Sequence, residues 1–284
     1  MQNFYFPLYN RTVLKITGRD AAAFLQRLLC SDIAALAPDI MQPSGLLTAQ
    51  GKLRFTFLIA VKKTKEGDTD SFWLDIQSDK KEEFQAHLNF YKLAAAVQIG
   101  EISQLAVFFS NQKQLASDAE SCFIDKRFMP SAFFRIYKKA PQETIKTTTD
   151  AWQKLRVDYG IAEACEDYAL GSVYPYDINL DYLGGVSVQK GCYIGQEVLS
   201  RMYHRKAIKK RLLIAQSSNN FFPDQTTITA QETVIGRISS VRKDKALAFI
   251  RLDKAQQCKA EGRSFRVGGQ EISLAPPPYA PHLW

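Results

Sequence analysis

The apolar pattern changes period at Ile208, and that change constrains the fold more than any other feature of the sequence. Beyond it, short β-rich runs follow one another, "RLLIAQ", "TTITAQ", "ETVIGRISSVR", "KALAFIRLD", "SFRVGG" and "EISLA", separated by turn residues. Short strands at this spacing bury a common face by closing on themselves or by stacking, so an antiparallel barrel or sandwich is expected over 208–284. The ending "APPPYAPHLW" is too rich in proline for a helix and is expected to run extended over the surface.

Upstream the pattern alternates, as in an α+β body. "TVLKI" reads as a strand, and "GRDAAAFLQRLLCSD" as a helix with Phe24, Leu25, Leu28 and Leu29 on one apolar face. "GLLTAQGKLRFTFLIAV" reads as two strands joined near Gln50-Gly51, where glycine supplies the positive φ of a tight turn. "FWLDI", "AVQIG", "LAVFFS" and "AFFRIY" are further strand candidates, and Lys80 to Leu93 has amphipathic helical spacing. The polar "KKAPQETIKTTTD" reads as a connector, and a helix from about Asp150 is expected to end at Gly160.

With 46% hydrophobic and 23% charged residues, disorder is excluded. The 37 Lys and Arg exceed the 29 Asp and Glu by 8, a moderate bias toward anionic partners. Five cysteines without a CxxC pair fit a reducing compartment better than a disulfide framework. No basic-then-apolar leader opens the chain and no apolar run is long enough to span a membrane, so a soluble, cytoplasmic protein is expected.

The stretch that asks for chemistry is "KGCYIGQEVLSR", followed at once by "MYHRKAIKKR". If Gly195 to Arg205 is helical, Cys192 lies just before a helix N-terminus, where unpaired amides and the dipole favour an anion, and Lys190 pushes the same way. That makes Cys192 the candidate reactive thiol and Lys190 its candidate partner. The alternative is that Cys192 is a small buried hydrophobe beside two turn glycines. Arg201 to Arg211 holds six cations, Arg201, Arg205, Lys206, Lys209, Lys210 and Arg211, and no acid: a solvated face, or a site for a polyglutamate tail or RNA. Gln196 and Glu197 are expected to satisfy the turn backbone or to pair with Arg201. His204 has no ligand-type neighbour at metal spacing, so no metal site is expected.

"KGCYIGQE" resembles the signature of the YgfZ family of folate-binding proteins, relatives of the aminomethyltransferase (T-protein) of the glycine cleavage system. "LRVDYGIAEACEDY", "VYPYDINLDYLGGVSVQ", "TAQGKLRFTFL" and "IGRISSV...KALAFIRLD" are similar to family segments along nearly the whole chain. The resemblance implies an α+β fold in which subdomains ring a central folate cavity, with a C-terminal antiparallel β-barrel. The implied domains are an N-terminal body over 1–207, built of two interleaved subdomains (roughly 1–45 with 145–207, and 46–144), and a barrel over 208–284.

By the same resemblance, tetrahydrofolate or a one-carbon derivative is the expected ligand. A pterin needs a deep carboxylate and a glutamate tail needs cations. Asp177, in "YPYD", matches the pterin-facing carboxylate, one methylene shorter than the Glu common among relatives; a turn or capping role is the alternative. Arg211 matches an arginine facing the tail, and Tyr193, Gln196, Glu197 and Arg201 complete the candidate folate-contact set. Where aminomethyltransferases carry a catalytic acidic pair, "GKLRFT" has Phe55 and Thr56. Folate binding without glycine-cleavage activity is therefore expected, in assembly or repair of iron-sulfur clusters, with cluster clients or assembly proteins as partners. A folate-dependent tRNA-modification accessory binding RNA, and a divergent one-carbon aminomethyltransferase, are the alternatives.

Overall fold

The computed structural model describes residues 3–63, 70–139, 149–221 and 224–284. By its contacts the chain divides into two units, residues 1–49, 54–147 and 183–196 in the first, and 50–53, 148–182 and 197–284 in the second.

The first unit is built on strands β1 (Tyr5–Pro7), β2 (Arg11–Thr17), β3 (Ile40–Leu47), β4 (Leu53–Lys62), β5 (Ser71–Gln77), β6 (Gln98–Glu101), β7 (Leu105–Ser110), β8 (Ser121–Asp125) and β9 (Phe134–Lys139). They form one sheet in the order β1-β7-β9-β8-β3-β4-β5-β2-β6. Helices α1 (Ala21–Leu28) and α2 (Lys81–Lys92) belong to this unit. Phe24, Leu25 and Leu28 of α1 join Phe84 and Leu88 of α2 in one core with the sheet residues Leu14, Ile16, Phe57, Ile59 and Leu74. The helical periodicities read from sequence are thus the buried faces. Gly51 has φ +76°, as the turn between β3 and β4 requires.

Because β2 pairs with both β5 and β6, residues 11–17 belong with 71–101. The contacts therefore divide the chain otherwise than by the expected interleaving of 1–45 with 145–207. The expected connector falls mostly outside the described residues, and β8 was not expected at all.

The interior of this sheet carries charge. Asp75 on β5 accepts from Arg11 at 2.6 Å, Arg135 at 2.6 Å and the Tyr137 hydroxyl at 2.7 Å. Asp125 accepts from Arg127 at 2.8 Å and Arg135 at 2.9 Å. A buried carboxylate is tolerated only with such partners. Burial alone would raise both acids; the arginines overcome it, lowering Asp75 and holding Asp125 down to about 2.

The second unit holds α3 (Thr149–Tyr159), α4 (Gln196–His204) from Glu197 onward, and the C-terminal strands β10 (Lys210–Ser217), β11 (Thr227–Ala230), β12 (Thr233–Arg242), β13 (Lys245–Arg251), β14 (Phe265–Val267) and β15 (Gln270–Ala275). These strands close a barrel in the order β10-β13-β12-β11-β14-β15, with β10 pairing β15. The six expected strands are these six. Two expectations need correction. "KALAFIRLD" ends as a strand at Arg251 and turns into α5 (Leu252–Ala260), whose Ala255 and Cys258 are buried. The proline-rich ending does not simply run over the surface: Ala280 and Leu283 sit in the barrel core, and the Tyr279 hydroxyl donates to the Gly160 carbonyl at 2.8 Å. The segment is not extended but folds through two turns, Ala280 amide to the Pro277 carbonyl at 2.9 Å and Leu283 amide to the Ala280 carbonyl at 3.0 Å, and its apolar side chains gain more in the barrel core than in water.

Candidate functional site

The signature loop precedes α4 and is tied down by side chain after side chain. The Lys190 ammonium donates to the carbonyls of Gln26 (2.7 Å), Leu29 (2.6 Å) and Ser31 (2.7 Å), where α1 ends. It also lies 4.8 Å from the Tyr193 ring centre. The Tyr193 hydroxyl donates to the Ser187 carbonyl at 3.0 Å, the Gln196 amide nitrogen to the Lys190 carbonyl at 3.2 Å, and the Ser187 amide to the Cys30 carbonyl at 2.8 Å. Burial pushes the Lys190 ammonium down to about 8, against the pull of Cys30 and Asp32.

An ammonium has three hydrogens and this one uses all three on backbone carbonyls. Lys190, the candidate partner of Cys192, thus has a structural role at the end of α1, because the last carbonyls of a helix attract a cation. Gln196 closes the turn through a carbonyl. Gly195 has φ +78° and needs to be glycine; Gly191 shows no such φ, and nothing stands within 4 Å of where its Cβ would be.

Cys192 is exposed, as is Cys165, while Cys30 and Cys258 are buried. The reading of Cys192 as a small buried hydrophobe is therefore excluded. Cys30 is the packed thiol of this region: it donates to the Gly185 carbonyl at 3.1 Å, and burial pushes it up to about 12.

On α4, Glu197 accepts from Arg201 at 2.5 Å across one helical turn, both side chains being exposed. Arg205, Lys206, Lys209 and Lys210 are exposed and make no ion pair among the described residues. His204 stacks edge-on against Tyr203, 5.4 Å between ring centres.

Asp177 lies in the 3-10 turn Pro175–Ile178 and is buried. Its Oδ2 accepts from the Tyr174 amide at 3.0 Å, which is the capping role; its Oδ1 accepts no hydrogen bond among the described residues. Burial raises the Asp177 carboxyl above its ordinary value, and the Tyr174 amide, Lys210, Lys52 and Arg211 pull the other way without cancelling it. Lys52, which no sequence pattern singled out, lies 3.7 Å from the Tyr174 ring centre and donates to the Ser172 carbonyl at 2.9 Å. Its place after the "AQG" turn was the available signal. Arg211 is buried and bound through both terminal nitrogens to Asp181, at 2.6 and 2.9 Å, so its charge is already answered within the chain.

Phe55, which the resemblance puts where aminomethyltransferases carry a catalytic acid, is a core residue packed 5.0 Å from Phe84 and 5.8 Å from His87 between ring centres.

A family model described as CAF17, C-terminal beta-barrel domain, matches residues 209–282. The iron-sulfur cluster assembly factor IBA57 homolog, mitochondrial, of Mycosarcoma maydis is 28% identical over 221 residues, 72% of this chain and 55% of that protein. Human IBA57, named as a mitochondrial iron-sulfur cluster assembly factor, is 26% identical over 285 residues, 88% of this chain and 78% of its own. The chain thus spans little more than half of the first relative. Among solved structures, glycine cleavage system aminomethyltransferase T from Bartonella henselae superposes with a TM-score of 0.74 at 14% identity, over 95% of this chain and 83% of that one. The fold is aminomethyltransferase T-protein-like, of mixed α and β content, with a closed six-strand barrel at its C-terminus. No described helix is long and apolar enough to cross a membrane.

Proposed function

We propose that this chain is a tetrahydrofolate-binding accessory protein of iron-sulfur cluster assembly or repair that presents Cys192 to a cluster-bearing client and does not transfer aminomethyl groups. The observation that carries this reading is the exposed Cys192 thiol in a loop whose Lys190, Tyr193 and Gln196 side chains are all bound to backbone. A thiol is an iron ligand and a nucleophile once deprotonated, and both roles require access. The IBA57 relatives, named as cluster assembly factors, supply the direction.

Bound folate supplies a flat ring with hydrogen-bond donors and an anionic tail. Asp177, a buried residue whose Oδ1 accepts no hydrogen bond among the described residues, fits the ring, and Lys209 and Lys210 fit the tail better than Arg211, which Asp181 already holds. Buried Phe55 leaves no carboxylate at the position of the transfer reaction. A free Cys192 thiol requires a reducing compartment. The cytoplasm is our assignment, and fractionation checks it against the mitochondrial location in the relatives' names.

Complementation of an iron-sulfur enzyme defect by the wild type and not by Cys192→Ser is the expected result; full activity from Cys192→Ser removes the reading. In calorimetry, Asp177→Ala is expected to weaken tetrahydrofolate binding by about 30- to 150-fold, the equivalent of roughly 2–3 kcal/mol for lost charge-assisted hydrogen bonds. The exposed cations from Arg205 to Lys210, without an ion pair among the described residues, favour a second reading, RNA binding. Salt-sensitive tRNA binding by a chain that ignores tetrahydrofolate would select it.

A further inference from the structure

A groove of about 660 Å³ opens in the first unit between α1 and the end of α2. Phe24, Leu28, Tyr91 and Ile194 line it, and Ile194 belongs to the signature loop, two residues after Cys192. Leu93 stands at its edge 88% exposed, with φ +47°. That backbone region is strained for a leucine by roughly 1–3 kcal/mol, and the side chain it projects into water gains nothing inside the chain. Phe90, one turn earlier, is 74% exposed. Arg27 and Lys92 line the same groove and make no ion pair among the described residues, while Asp20, also lining it, accepts from the Ala96 amide at 2.7 Å.

We propose that this groove is a docking site for an acidic amphipathic segment of a partner protein, whose apolar residues fill the space between α1 and Leu93 and whose carboxylates meet Arg27 and Lys92. An apolar trough with cations at its margin selects that chemistry. A second copy of this chain is disfavoured, since a net charge of +8 repels its like at a basic margin. An RNA strand would leave the apolar wall in water, and two cations are too few to hold an anionic membrane. An occupant touching Ile194 lies against the loop that carries Cys192. The inference rests on the proposed function for one thing alone, the identity of the partner as a cluster assembly or client protein; the groove chemistry stands by itself.

The test places a photo-crosslinking benzoylphenylalanine at Leu93 in the full chain in cells, with the same probe at exposed Val234 of the barrel as control. The expected result is a protein adduct at Leu93 and not at Val234, mapped to a segment bearing apolar and acidic residues. A synthetic peptide of that segment is expected to bind the wild type and to lose roughly tenfold in affinity to the Arg27→Glu, Lys92→Glu double variant, as for two rim charges of about 0.5–1 kcal/mol each. Arg27 is exposed and Lys92 half-buried, each in the last turn of its helix, and a cooperative thermal transition confirms that the variant folds. No site-specific adduct, an adduct with a second copy, RNA or lipid, or a peptide indifferent to the charge reversal would overturn the proposal. A specific acidic adduct on a protein with no part in cluster assembly keeps the groove and removes the functional reading instead.

Discussion

Replacing Lys190 by methionine keeps the length of the side chain and removes its charge, which sets two effects of similar size against each other. The variant orphans the carbonyls of Gln26, Leu29 and Ser31, now at 2.6–2.7 Å from the ammonium. At roughly 1 kcal/mol for each buried acceptor, the low end because a carbonyl keeps a second lone pair, the loss is about 3 kcal/mol. Against it stands the cost of holding an ammonium where burial brings it from the ordinary 10.5 down to about 8, again about 3 kcal/mol at 1.36 kcal/mol for each tenfold change. At pH 7 the folded wild type carries that cost, so the two proteins should melt within about 4 °C of each other, some 1 kcal/mol for a chain of this size. Above pH 8 the folded state sheds the proton while the unfolded chain keeps it to 10.5, so wild-type stability rises with pH relative to the variant. By pH 9 the wild type should lead by about 1 kcal/mol more than at neutrality. The loop should respond even where the global balance does not: without the ammonium its anchor to α1 is gone, and alkylation of Cys192 by iodoacetamide should change in rate against exposed Cys165 as internal reference. A gap between wild type and variant that is the same at pH 7 and pH 9 would refute the charge argument. An unchanged Cys192 alkylation rate would refute the anchoring.

Gly191→Ala has open space for its methyl group and no left-handed backbone to strain, so thermal stability should hold or rise by about 0.4–1 kcal/mol. Its complementation of an iron-sulfur defect should nevertheless fall, because a partner reaching Cys192 must pass beside that backbone; undiminished complementation removes that approach. Asp125, lowered by Arg127 and Arg135 to about 2, adds about 2 kcal/mol of stability that is present above pH 3.8 and lost as pH falls toward 2. Acid titration followed by circular dichroism should show Asp125→Asn missing that loss of stability.

The barrel was legible because each of its strands carries its own period and turn, and a chain of short strands has few ways to hide its edges. The helices α1 and α2 were legible for the same local reason. What escaped depended on distant partners. β8 is a short polar-flanked run that becomes a strand only between β3 and β9. The ending reads as a loop until there is a barrel end to fill, and α5 hides inside a run whose first half is a true strand. At the site, the residue types were visible and their directions were not. Sequence proximity made Lys190 the partner of Cys192, whereas the ammonium reaches back to residues 26–31, some 160 positions away. The charge of Arg211 was visible and its neutralisation by Asp181 was not.

The anchoring of Lys190 bears on why the signature is built as it is. Were its residues a catalytic set, Lys190 and Gln196 would point their hydrogen-bonding groups at the reacting thiol. Instead each meets the backbone of its own loop or of α1, and Tyr193 does likewise. Ordering a loop beforehand removes an entropic cost from the later binding step, about 1–2 kcal/mol for each residue already fixed. An exposed thiol in a loop tied down by these bonds, with the adjoining glycine backbone open and an apolar groove reaching Ile194 of the same loop, is suited to being met by another protein. General acid-base work would demand a titrating neighbour within hydrogen-bond reach, and the ammonium of Lys190, the nearest candidate in sequence, is committed to three backbone carbonyls. Under the proposed function, this arrangement suits presentation of Cys192 to a partner better than catalysis by it.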